Sequence, residues 1–113
     1  IKGMKHVKHA LNRDSNNITL RLLRGYLTYS MPESFFHMSE KAAKDFKFLK
    51  NAYEMNNNVF PKETYWKILY DLGVCYGNSG DIENRDKVWK KLSEECSDPK
   101  YKALIQLSEG RES

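Results

Sequence analysis

Apolar residues return every three or four positions along most of this chain, the period of a helix with one buried face. Ile1, Met4, Val7 and Leu11, with lysines and histidines between them, predict an opening amphipathic helix that ends near Asn12. Arg13 to Asn17 is a polar turn rich in capping residues. Ile18 to Tyr29 then predicts a second helix with Leu20, Leu23 and Leu27 on its apolar face. Pro32 closes that element, and Ser39 is placed to cap a third helix whose stripe is Ala42, Ala43, Phe46, Leu49 and Tyr53. Asn56 to Asn58 end it. A fourth helix is expected from about Lys62 to Asn78, a fifth from about Ile82 to Glu94 and a short sixth from Lys100 to Ser108. Six helices and no convincing strand predict one all-α domain over residues 1–113. The linkers Ser30 to Met38 and Met55 to Thr64 carry Phe35, Phe36, Met38, Val59 and Phe60. They are too apolar for spacers and are expected to fold back onto the helices.

The densest pattern is Leu69, Leu72, Gly73 and Tyr76, then Gly80, then Trp89 and Leu92, then Pro99. It reads as a helix, a turn, a returning helix and a stop, and it resembles a tetratricopeptide repeat. That family places a small residue at the eighth position of the first helix, where Gly73 stands. Trp89 and Leu92 match the second helix, whereas Arg85 occupies a place normally given to alanine, so close contact there requires its stem to bend outward. Counting backward, Ala42, Phe46 and Leu49 repeat the second-helix spacing, with Gly25 as the small residue of the helix before them. Gly3, Val7 and Ala10 fall in the second-helix register of an earlier repeat, at the family's period of about 34 residues.

The resemblance implies a short degenerate array: antiparallel helix pairs stacked as a right-handed superhelix, entered in mid-repeat, as the C-terminal part of a longer chain would be. It also implies a binding surface in place of a reaction centre. First helices of such arrays line a concave face, which here would carry Leu22, Tyr26 and Tyr29, then Lys67, Tyr70 and Val74, then Tyr101. That face reads as aromatic and largely uncharged. Leu22 and Tyr70 stand where chaperone-binding members have lysine, and Tyr26 and Val74 where they have asparagine, so a carboxylate clamp is not expected.

Composition narrows the classes further. No apolar run approaches the roughly 18 residues of a membrane span. The formal charge of +4 is concentrated in Lys2, Lys5, Lys8, Arg13, Arg21 and Arg24, opposed within that stretch by Asp14 alone. Solvated helix faces account for such a run, and no base-reading or stacking motif accompanies it to indicate nucleic acid. Cys75 lies beside core positions, Cys96 sits among Glu94, Glu95 and Asp98, and a disulfide between them stays open. His6, His9 and His37 lack the Asp, Glu or Cys neighbours of a metal site. With no phosphate-cradling loop, nucleophile elbow or helical His-Glu motif, neither an enzyme nor a cofactor is expected.

The sequence therefore reads as a protein-interaction adaptor or scaffold that binds a protein or peptide segment on the aromatic face. Two alternatives belong to other classes: a carrier of a small hydrophobic ligand, its groove roofed by Phe35, Phe36 and Phe60, and a binder of an acidic polymer through the basic N-terminal helices. The cytoplasm is the favoured compartment, with any targeting segment upstream. The apolar surface of the first helix exceeds what one neighbour covers and predicts homodimerisation through that helix.

Overall fold

The computed structural model has six helices among its described residues: α1 (Lys2–Arg13), α2 (Ile18–Tyr29), α3 (Phe35–Met55), α4 (Lys62–Asn78), α5 (Ile82–Glu95) and α6 (Pro99–Glu112). It describes the backbone of residues 2–14, 16–30 and 35–112, and no strand occurs among them. Expectations resting on the side chains of Ile1, Met4, Val7, Phe35, Phe36 and Met38, and on Pro32, lie outside the described residues. Leu11, the described end of the first apolar stripe, is buried within the chain.

The helix ends follow local chemistry. Asn17 caps α2 by accepting from the Leu20 amide at 3.0 Å. The junction of α4 and α5 is a Schellman turn in which Gly80, at φ 82°, supplies the left-handed residue. Its two bonds run from the Asp81 amide to the Tyr76 carbonyl at 2.8 Å and from the Gly80 amide to the Gly77 carbonyl at 3.1 Å. Asp81 then caps α5 by accepting from the Asn84 amide. Pro99 opens α6, where a missing amide costs nothing, and Asp98 accepts from the Lys100 amide at 2.9 Å.

Two boundaries differ from the sequence expectation by several residues. The last helix is longer than expected, continuing past Ser108 to Glu112. α3 begins at Phe35, so Ser39 lies inside the helix and caps nothing. Its hydroxyl is buried and accepts from the Asn78 side chain at 3.4 Å, which lets a serine sit within a helix without competing for the backbone. The second apolar linker behaves as expected: Phe60 is buried and stacks on Tyr53, which in turn stacks on Tyr65. Phe60 is thereby committed between α3 and α4, away from any roof over the aromatic face.

Each helix packs against the next in the chain. Pairings of Tyr65 with Glu54 and of Asn78 with Ser39 make α3 and α4 antiparallel. The core runs through their shared seam as Ala42, Phe46, Leu49, Ile68, Leu69 and Leu72, all fully buried. Between α4 and α5 the contact is closer still. A β-carbon on Gly73 would overlap the Trp89 indole, and one on Gly77 would lie 3.3 Å from Arg85 Cδ. The pairs 73 with 89 and 77 with 85 fix an antiparallel register.

Arg85 does not hold the two helices apart. It is buried, its stem lies against the bare backbone of Gly77, its guanidinium lies 5.1 Å from the centre of the Trp89 ring, and it donates to Asp86. The small residue that accommodates it is Gly77 on the facing helix. On the other side of the molecule Gly25 brings α2 against α3, where an added β-carbon would touch Phe46 at 3.0 Å.

Candidate binding site

Asp71 organises the face on which the sequence places its recognition residues. It is buried on α4, and its Oδ2 accepts from the Tyr26 hydroxyl of α2 and from Lys67 Nζ one turn earlier, both at 2.7 Å. Lys67 Nζ also lies 4.7 Å from the centre of the Tyr26 ring, so one ammonium group meets a carboxylate and an aromatic face together. Around this centre Tyr26 and Tyr29 meet edge to face at 6.1 Å, and both pack on Phe46. Tyr70 stacks on Trp89 at 5.7 Å and meets Tyr101 of α6 at 5.9 Å. The Trp89 indole donates to the Tyr70 carbonyl at 3.1 Å.

Burial raises the titration of both α2 tyrosines, and the neighbouring Asp71 raises it further, so Tyr26 and Tyr29 stay protonated as donors at any physiological pH. Cys75, one turn beyond Asp71, is pushed up to about 12 by burial and then by that same carboxylate. It is an inert thiol. Cys75 and Cys96 are both buried and free, so the open question of a disulfide closes against one.

Of the seven sequence candidates, Tyr26, Tyr29 and Lys67 are joined through Asp71 and the Tyr26–Tyr29 ring contact, while Tyr70 and Tyr101 form a second cluster with Trp89 that is coupled to the first electrostatically. Leu22 and Val74 are half-buried and pack against the same core. Their roles divide. The Tyr26 ring and hydroxyl are spent within the fold, and Tyr101 is buried. Tyr29, Tyr70, Leu22 and Val74 keep part of their surface exposed, and the Lys67 side chain is 58% exposed. Sequence reasoning missed Asp71, and with it the charge at the centre of a face read as largely uncharged. Its signal was available: an acid four residues after Lys67 in a helix, between the apolar positions Tyr70 and Leu72.

The same omission recurs at Asp45 of α3. This carboxylate is fully buried and receives Arg24 through both oxygens, at 2.8 and 2.7 Å, and Arg21 at 3.0 Å. Burial lowers the Arg24 affinity for protons, but the bond to Asp45 outweighs it and the net shift is upward. Arg21 also lies 4.3 Å from the centre of the Phe48 ring. Two of the six cations counted in the basic N-terminal stretch are therefore internal counter-ions, which leaves less of that stretch for an acidic polymer. Lys5, Lys8, His6 and His9 are exposed.

A third polar node fastens the ends of α3, α4 and α5. Glu54 accepts from Tyr65 at 2.6 Å, from Lys91 at 2.6 Å and from Lys50 at 3.1 Å. Burial alone would raise its pKa, but these donors outweigh burial and bring it down to about 2. Among the described residues no three His, Cys, Asp or Glu side chains come together as a metal site, and no helix is long and apolar enough to cross a membrane. Compared with models of protein families, with curated proteins and with solved structures, the chain matches none.

Proposed function

We propose that this chain is a non-catalytic scaffold, a short array of tetratricopeptide-like helix pairs with right-handed superhelical stacking, that binds a segment of another protein on the face shared by α2, α4 and α6. The observation that carries the reading is a pair of neighbouring aromatic clusters drawn from three helices, Tyr29 and Lys67 at Asp71 and Tyr70 with Tyr101. Tyrosine suits recognition because it offers large area with few rotatable bonds and keeps a polar tip. Here the interior supplies rigidity: Trp89 behind Tyr70 and Phe46 behind Tyr26 hold the rings before any partner arrives. Lys67 adds a cation already oriented by Asp71.

The test is selection of binders from a displayed random-peptide library, followed by mapping of amide shifts on the labelled chain. Selected peptides are expected to perturb Leu22, Tyr29, Lys67, Tyr70 and Val74. Replacing Tyr70 and Lys67 together by alanine is expected to weaken them at least about thirtyfold, the loss of roughly 2 kcal/mol that marks a hot spot. Peptides that perturb another face, or a library that yields none, would sink the reading.

A further inference from the structure

The opposite face of α4 forms the floor of a second groove. Leu72 and Tyr76 lie about 200° around the helix from Tyr70 and Val74. With Val88 they make an apolar floor, with α3 as one bank and α5 as the other. One part of the groove has a volume of about 450 Å³ and the adjoining part about 270 Å³. Both are bounded by Lys47, Tyr76 and Asn84, so they are continuous. Since α3 and α5 each run antiparallel to α4, they run parallel to each other and their lysines line up. Lys44, Lys47 and Lys50 follow at three-residue intervals on α3, and Lys87 and Lys91 lie one turn apart on α5.

The charges along this groove are graded. Glu40 and Asp81 stand at one mouth, where Asp81 is engaged by Asn84. At the far end Lys50 and Lys91 share Glu54, and Lys91 lies 4.0 Å from Glu95. In the middle Lys87 pairs with the exposed Glu83 at 3.4 Å, a pairing that solvent largely screens, and acts at longer range on Asp81. Lys44 and Lys47 make no ion pair among the described residues. The cationic demand is therefore central, beside the half-buried Tyr76 ring, with acids at both ends: Glu40 and Asp81 at the mouth, Glu54 and Glu95 at the far end.

We propose that this groove docks an acidic segment of a partner protein, its carboxylates between Lys44 and Lys47 on one bank and Lys87 on the other, its apolar side chains against the half-buried Tyr76 ring. The grading selects a polypeptide over a uniform polyanion, because Glu40 and Asp81 repel a phosphate chain at the mouth and accept a basic residue or a chain terminus there. A single strand of nucleic acid takes its affinity from successive stacking platforms, and this floor offers one tyrosine. The site is independent of the aromatic face, which lies on the other side of α4.

Fluorescence anisotropy of the full chain tests this with three labelled probes: an amphipathic peptide of Glu and Leu, the same peptide with Gln for Glu, and an oligouridylate. The acidic peptide is expected to bind, to weaken as salt rises, and to lose about tenfold or more in affinity in the Lys44→Glu, Lys47→Glu double variant. Both positions are exposed, so the melting transition should hold. Should charge reversal disturb folding, Lys44→Gln with Lys47→Gln is expected to weaken binding severalfold. Equal affinity for the double variant or for the Gln peptide, or tighter binding of the oligouridylate, would each overturn the proposal.

Discussion

The indole of Trp89 fills the space that a side chain on residue 73 would need, so Gly73 is the seat of the largest buried aromatic of α5. Glycine inside a helix ordinarily costs about 1 kcal/mol relative to alanine. Gly73→Ala is therefore expected to reverse the usual sign and destabilise the chain by about 1 to 3 kcal/mol, because the ring must move. Combining it with Trp89→Leu should recover part of that loss, a coupling that urea melts of the four proteins would measure.

Asp45 is the common acceptor of Arg21 and Arg24, and the three do not contribute alike. Removing the acid strands two partly buried cations, whereas removing one arginine leaves the other in place. Asp45→Ala is expected to cost about 3 kcal/mol, toward the lower end for broken buried pairs because the arginines retain some solvent. Arg21→Ala alone should cost markedly less. Chemical denaturation that ranks them in the other order would count against the clamp.

Acid should act through Glu54. Its folded pKa of about 2 lies below the ordinary value of 4.5, so the stability it contributes is fully present above pH 4.5 and is lost as the pH falls toward 2. Glu54→Gln is expected to lower the melting temperature at pH 7 and to flatten the acid limb between those values. The side chain is partly exposed, so screening limits the effect to about 1 kcal/mol. An unchanged acid limb in the variant would remove Glu54 from the account.

Tyr26→Phe isolates the hydroxyl on Asp71 from the ring on Phe46. A hydrogen bond to a charged group is worth roughly 1.5 to 3 kcal/mol, and the phenylalanine variant should lose about that much. Tyr26→Ala should lose more, since it also opens space beside Phe46. Thermal melts of the two variants distinguish these contributions. The comparison also shows why an alanine at position 26 is a poor probe of binding.

How far the sequence disclosed this follows from the kind of signal each feature leaves. Periodicity and capping residues located α2 and α4 to the residue, because Asn17, Pro61 and Gly80 punctuate them locally. The start of α3 was hidden because Ser39, a good cap by identity, has a partner 39 residues away in Asn78. The same reason hid both buried acids. A carboxylate on a helix reads as solvent-facing until its counter-ions arrive from another element, as Arg21 and Arg24 do for Asp45. The aromatic candidates were legible by register, but Tyr26 and Tyr101 turned out to serve packing as much as surface.

Gly73 and Gly77 are spaced like Arg85 and Trp89, one helical turn in each case. A slip in which Trp89 takes the hollow at Gly77 would again seat the ring on a glycine, though it would give up the indole's bond to the Tyr70 carbonyl. What forbids it is the brevity of the Gly80 turn, which leaves no slack for α5 to slide about 5 to 6 Å along α4. Chain length at the turn and the Trp89–Tyr70 contacts thus choose the register together. Residues inserted after Gly80 would free a ratchet between two packings, a property latent in this helical hairpin as long as both glycines remain.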